Sequence, residues 1–194
     1  MKLIQSFINT ILLLLFTFSA GSVIATDDIS SETSRILKPG QSAPISSLFN
    51  LEEKSVRFPA KEQWSLVLFW SLFCHSCLEE IPVILQEISE MQNISVETYL
   101  VSIDTARMKK GIQNYLRKRA LKADVLLDEI ASQSYIAADL WGVKTTPSVF
   151  LISPSGEIVF SHEGPFDTNL LWKVLTENSQ KKPACKETGN LCKD

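Results

Sequence analysis

Cys74-His75-Ser76-Cys77 places two thiols directly behind the apolar run Leu66-Val67-Leu68-Phe69-Trp70 and directly ahead of an amphipathic stretch. The pair is therefore expected at a strand-to-helix junction. Free N–H groups and a partial positive charge at a helix N-terminus favour thiolate over thiol, and can bring a cysteine pKa to about 3.5–7.5. Such a thiolate attacks disulfides near neutral pH, and a second cysteine one helical turn away can close a small ring with it. His75 is a candidate to tune the pair, because a nearby imidazolium would stabilise the thiolate. Glu80 follows Cys77 by three residues, on the same helix face, where a partly buried carboxylate could exchange a proton with that thiol. Trp70 and Phe73 are expected to frame the surface around the pair, although aromatics ahead of a buried turn are more often core.

Hydrophobic period defines the elements that must hold these groups. Trp64 to Trp70 is nearly continuous in apolar residues, as in a strand covered on both faces. Ile81, Ile84, Leu85, Ile88 and Met91 recur at helical spacing. Pro82 lies inside that helix and removes a donor, so a kink is expected at a cost of about 3 kcal/mol. Val96 to Ile103 reads as the next strand, and Asp104-Thr105 as the cap of a helix through Ile112, Tyr115 and Leu116. Val125 to Leu127 is a short strand, and Glu129 to Trp141 has helical spacing through Ile130, Tyr135 and Leu140 until Gly142 ends it. Ser148 to Ile152 and Ile158 to His162 form a hairpin about Ser153-Pro154-Ser155-Gly156, and Asn169 to Ser179 closes as a helix. Upstream, Ser55 to Phe58 alternates like a half-buried strand. The fold class is α/β, a central mixed β-sheet with helices on both faces.

At 194 residues and 45% apolar content, the chain has enough material for one well-buried core. A net charge of −3 gives no basic footprint for nucleic acid, and the basic clusters at Lys109-Lys110 and Arg117-Lys118-Arg119 suit a solvated helix face. Residues 1–25 have the form of an export signal: a charged start, a short apolar core densest over Ile11 to Phe18, and Val23-Ile24-Ala25 before Thr26. The alternative is an uncleaved membrane anchor, the one route by which membrane contact would arise. Residues 26–38 are a polar lead-in, 39–179 the folded domain and 180–194 a tail. In the tail Cys185 and Cys192 bracket a short polar loop and are expected to pair as a structural disulfide; four cysteines allow three connectivities, and spacing alone does not choose among them.

Several ordered motifs together resemble the thioredoxin-like fold, and more narrowly the exported thiol–disulfide oxidoreductases related to TlpA and ResA and the peroxiredoxin-like redoxins. They are Pro39-Gly40-x-x-Ala43-Pro44, Phe69-Trp70-x-x-x-Cys74-x-x-Cys77-x-x-Glu80-x-Pro82, Val101-Ser102-Ile103-Asp104, Gly142-Val143-x-x-Thr146-Pro147 and Phe150-Leu151-Ile152-x-x-x-Gly156-x-Ile158. The resemblance implies that Pro147 is cis and faces the cysteine pair, that Thr146 offers backbone groups to an extended substrate, and that Glu80 is functional. It implies no cofactor beyond the redox-active disulfide Cys74–Cys77 and no metal. The implied partners are protein thiols and disulfides and an upstream thiol electron donor. The implied compartment is the bacterial periplasm, or a membrane anchorage facing it, and the implied role is that of a reductant in protein or cytochrome c maturation. Phe73 departs from the usual pattern, where many relatives have Trp, and the Cys185/Cys192 tail is no part of it. Two alternatives on the same fold are a thiol peroxidase, which would rely on a single peroxidatic cysteine, and a copper-binding assembly factor using Cys74, Cys77 and His162. A zinc site built from all four cysteines has the wrong spacing for a closed tetrahedron.

Overall fold

The computed structural model describes residues 35–180, so the segment read as a signal, most of the lead-in and the Cys185/Cys192 pair lie outside the described residues. The chain runs β1 (Ser46–Asn50), β2 (Ser55–Phe58), β3 (Trp64–Trp70), α1 (His75–Glu90), β4 (Val96–Ser102), α2 (Lys109–Lys118), β5 (Val125–Leu127), β6 (Ile130–Ala131), β7 (Ser134–Tyr135), β8 (Ser148–Ile152), β9 (Ile158–Glu163) and α3 (Thr168–Ser179). Seven strands form one mixed sheet in the order β2-β1-β5-β4-β3-β8-β9. β3 runs parallel to β4 and antiparallel to β8. Its continuous apolar sequence is explained by this central place, since six of its seven residues are buried. Fully burying each large apolar side chain contributes about 1.5–3 kcal/mol.

Alternation along β3 divides the core in two. Leu66, Leu68 and Trp70 join one cluster, together with Ile81 and Ile84 of α1, Ile112 and Leu116 of α2, and Leu171 and Leu175 of α3. Val67 and Phe69 join the other, with Phe58, Phe150 and Trp141. In that second cluster Trp141 meets Phe150 edge-on at 4.9 Å, and Phe150 meets Phe69 edge-on at 5.9 Å. All three regular helices of the described residues thus cover one face. The topology explains why: β3, β4 and β5 step in one direction across the sheet, so right-handed crossovers put α1 and α2 on the same side.

On the opposite face, the helix expected over Glu129 to Trp141 is replaced by the hairpin β6–β7 and a single helical turn. Ser132 and Gln133 adopt φ of 52° and 72°, which makes the tight hairpin turn. The carboxylate of Asp128, fully buried, then accepts the N–H groups of Ala137 at 3.0 Å and Ala138 at 2.6 Å. It caps a turn closed by Trp141 N–H to the Ala137 carbonyl at 2.9 Å and Val143 N–H to Ala138 at 2.8 Å. Ile130 and Leu140, which made the spacing look helical, are more than half exposed. Gly142 admits the close passage of the N-terminal segment, where a Cβ would stand 2.1 Å from the Arg35 carbonyl oxygen.

α1 is unbroken across Pro82, where a kink was expected. Proline leaves the Leu78 carbonyl without its helical donor. The Tyr115 hydroxyl of α2 supplies one, donating to that oxygen at 3.2 Å.

Candidate active site

The site begins where β3 ends. Residues 71–73 turn the chain, and Cys74 takes an extended conformation (φ −92°, ψ 105°) as the N-cap of α1, its Sγ accepting the Cys77 N–H at 3.2 Å. A cap acceptor is what an N-terminus lacks, so the same geometry that starts the helix bonds a donor to the sulfur. Cys74 and Cys77 are joined as a disulfide with Cα atoms 5.3 Å apart. Cys74 retains 9% of its surface and Cys77 none, so solvent reaches one sulfur-bearing residue of the two. Ser76 Oγ lies 3.5 Å from Cys74 Sγ.

The other sequence-derived site residues fall at different depths. His75 is 89% exposed in its side chain, and its Nε2 lies 3.3 Å from Glu79 Oε1 on the next turn rather than beside the cysteine sulfurs. Trp70 is fully buried, a correction to its expected place on the substrate surface: as the last residue of β3 it alternates inward, its ring 5.6 Å from that of Tyr115. Phe73 does stand at the surface, 80% exposed beside Cys74. The Thr146–Pro147 bond is cis, and so is Phe58–Pro59, which sequence reasoning missed. Because Phe69 pairs with Ser148 in the β3–β8 register, the next step along places Pro147 beside the end of β3, where the cysteine loop starts. Thr146 is half-buried and Pro147 buried, with its carbonyl taken by the Gly164 N–H at 2.7 Å.

Glu80 is half-buried one turn beyond Cys77. Burial raises its carboxyl above the ordinary range, the Phe166 backbone N–H opposes that rise, and the neighbouring Glu79 charge adds to it. Its Oε2 is buried with no hydrogen-bond partner among the described residues. A carboxyl in that setting is poised to hold and release a proton.

Asp104 was expected to cap the helix after β4, but its carboxylate turns back to the cysteine loop, accepting Ser71 Oγ at 2.7 Å, the Leu72 N–H at 2.8 Å and Ser102 Oγ at 2.9 Å. The parallel register explains the change, because Ser102 pairs with Trp70 and sets Asp104 against the start of the loop. Thr105, the N-cap of the 3-10 turn Ala106–Met108 that follows, makes no side-chain cap bond. Ser71, Ser76 and Asp104 are site residues that sequence reasoning missed. The signal available was Asp104 lying two residues past the end of an apolar strand parallel to the one that carries the cysteines.

His162, a copper-ligand candidate, has its Nε2 3.2 Å from the Pro165 carbonyl and its ring 6.0 Å from Phe166. Among the described residues no three His, Cys, Asp or Glu side chains converge as metal ligands, and no helix is long and apolar enough to cross a membrane.

A Cys-x-x-Cys disulfide at the N-terminus of a helix, directly behind a buried central strand, is the working part of a thiol–disulfide oxidoreductase, and this chain is an enzyme of that class on a thioredoxin-like fold. Residues 39–161 match the AhpC/TSA family, and the chain belongs to it. It is 24% identical over 154 residues to the thiol-disulfide oxidoreductase ResA of Bacillus subtilis, covering 79% of this chain and 82% of that protein. It is 26% identical over 126 residues to the thioredoxin-like protein SkfH of the same species, covering 65% and 86%. Among solved structures, a thiol-disulfide oxidoreductase from Bacteroides fragilis superposes with a TM-score of 0.58 at 22% identity, covering 71% of this chain and 99% of that one.

Proposed function

We propose that the enzyme reduces disulfides in exported proteins, with Cys74 as the attacking sulfur and Cys77 as the resolving one. The asymmetry of exposure supports the order of attack, because Cys74 meets solvent and Cys77 does not. In the first step the Cys74 thiolate attacks a substrate disulfide, forming a mixed disulfide and releasing one substrate sulfur, which takes a proton. Cys77 then loses its proton and attacks the Cys74 sulfur; the Cys74–Cys77 bond forms and the second substrate thiol departs. Two electrons and two protons pass to the substrate, and an upstream thiol donor must restore the dithiol. Glu80 receives the Cys77 proton during resolution, a role that its half-buried position and raised carboxyl suit.

The cis turn at Thr146–Pro147 beside the loop offers a backbone edge to an extended substrate segment, and the exposed Phe73 gives that segment an apolar neighbour. Action on exported proteins, in the periplasm or from an anchor facing it, rests on the signal-like residues 1–25. Proteins whose paired cysteines must be delivered reduced, such as apocytochromes c, are the substrate class.

Trapping tests the assignment. A Cys77→Ser variant should accumulate mixed disulfides through Cys74, and the native dithiol should reduce insulin without added metal. Accumulation through Cys77 in a Cys74→Ser variant, with none in Cys77→Ser, would reverse the attack order.

A further inference from the structure

Ser71 is a hub. Its hydroxyl donates to Asp104 and accepts the Phe73 N–H at 3.1 Å, while its carbonyl accepts the Cys74 N–H at 3.1 Å. Asp104 also takes the Leu72 N–H, so the backbone N–H groups of residues 72, 73 and 74 are all bonded to Ser71 or Asp104. Both side chains are buried, Ser71 at 8% and Asp104 at 6% exposure, where a lost partner is not freely replaced by water. Asp104 is in turn braced by Ser102, whose hydroxyl donates to the carboxylate at 2.9 Å and accepts the Asp104 N–H at 3.2 Å. The end of β4 thereby holds the loop that carries the nucleophile.

We infer that Ser71 and Asp104 are positioning residues that keep the Cys74 sulfur over the N-terminus of α1 when the disulfide is open. This inference rests on the oxidoreductase function and on Cys74 as the attacking sulfur. In the closed form the bond to Cys77 holds Cys74 in place. In the dithiol form that tether is gone, and the hydrogen bonds of residues 71–74 are what remains to keep Sγ within reach of the Cys77 N–H that stabilises the thiolate. Removing them weakens the reduced form selectively. A purely structural brace would weaken both redox forms alike.

The test compares native protein with Ser71→Ala, Ser71→Thr, Asp104→Asn and the double variant Ser71→Ala/Asp104→Asn. Three readouts are taken: alkylation of Cys74 by iodoacetamide across pH, the thiol–disulfide equilibrium against glutathione, and thermal unfolding of each redox form. Ser71→Ala should slow Cys74 alkylation at neutral pH by about 3–10-fold, the equivalent of one hydrogen bond of typical net strength. It should move the midpoint of the alkylation profile to higher pH, and shift the glutathione equilibrium toward the disulfide by a similar factor. Ser71→Thr, which keeps the hydroxyl, should restore most of the rate, and the double variant should be no slower than the worse single one. A folded Ser71→Ala with native alkylation and equilibrium, or one that melts earlier by the same amount in both forms, overturns the inference while leaving insulin reduction by the native protein to judge the function itself. If Asp104→Asn does not fold, Ser71→Ala and Ser71→Thr decide alone.

Discussion

Pro82 and Tyr115 should be energetically coupled, and the coupling can be measured. Proline removes the N–H that would bond the Leu78 carbonyl, and the Tyr115 hydroxyl replaces it from the neighbouring helix at 3.2 Å. Leaving a buried acceptor unpaired costs about 1–3 kcal/mol, and both partners here are only partly buried, so Tyr115→Phe should cost about 1–1.5 kcal/mol. The ring is retained, which preserves packing against Trp70 at 5.6 Å and isolates the hydroxyl. In a Pro82→Ala background the restored N–H satisfies Leu78 from within the helix, and Tyr115→Phe should then cost less than about 0.5 kcal/mol. The difference, about 1 kcal/mol, is the interaction energy of the cycle. Urea unfolding of the four proteins with the disulfide kept closed would give it, and thermal midpoints should differ by about 2–4 °C per kcal/mol. Equal costs of Tyr115→Phe in the two backgrounds would refute the assignment of that hydroxyl as the missing donor.

Replacing Glu80 with Gln should slow release of substrate from the mixed disulfide by about tenfold or more, read by single-turnover quench. The same change has a signed effect on stability. Burial raises the Glu80 carboxyl, so its contribution is present below the unfolded value of 4.5 and is lost as pH rises through the higher folded value. Glu80→Gln should therefore gain on the native protein between pH 4 and pH 7, by less than about 1 kcal/mol because water screens a half-exposed group. Ser76→Ala removes the hydroxyl 3.5 Å from Cys74 Sγ and should slow its alkylation by about 2–5-fold, measured beside a His75→Ala control that changes it less. Asp128→Asn places an NH₂ group among the N–H donors of residues 137 and 138 and should cost about 1–3 kcal/mol in urea unfolding, with insulin reduction retained at permissive temperature.

Where local pattern and tertiary role coincide, the chain is easily read. The apolar run of β3, the cysteine pair behind it and the stripe of α1 are contiguous, and a junction of strand and helix needs no distant residue to define it. The cis bond at Thr146–Pro147 was legible through the motif carried by the resemblance. β1 was not, because Ser46 and Asn50 are among its inward residues while Phe49 points out at 61% exposure, which inverts the usual alternation. Ser46 is buried to receive the Trp141 indole N–H at 3.4 Å, and Asn50 to close the β1–β2 turn through the Glu52 and Lys54 N–H groups. The segment after β5 misled for a related reason: Asp128 caps residues nine and ten positions ahead, across an intervening hairpin. Asp104 acts on residues more than thirty positions earlier. Such roles depend on strand register, which no short window contains.

The two faces of the sheet should open at different rates. One lies under three helices, each with its own ladder of amide bonds, while the other lies under the short β6–β7 hairpin, a single capped turn and the passing segment at Arg35 to Leu37. Amide exchange should therefore be fastest, among buried groups, at Ala137 to Val143, with Trp141 transiently wetted in a sub-global excursion far cheaper than full unfolding. The nucleophile sits on the slow side, so fluctuations of the lightly roofed face can occur without loosening the groups that carry electrons.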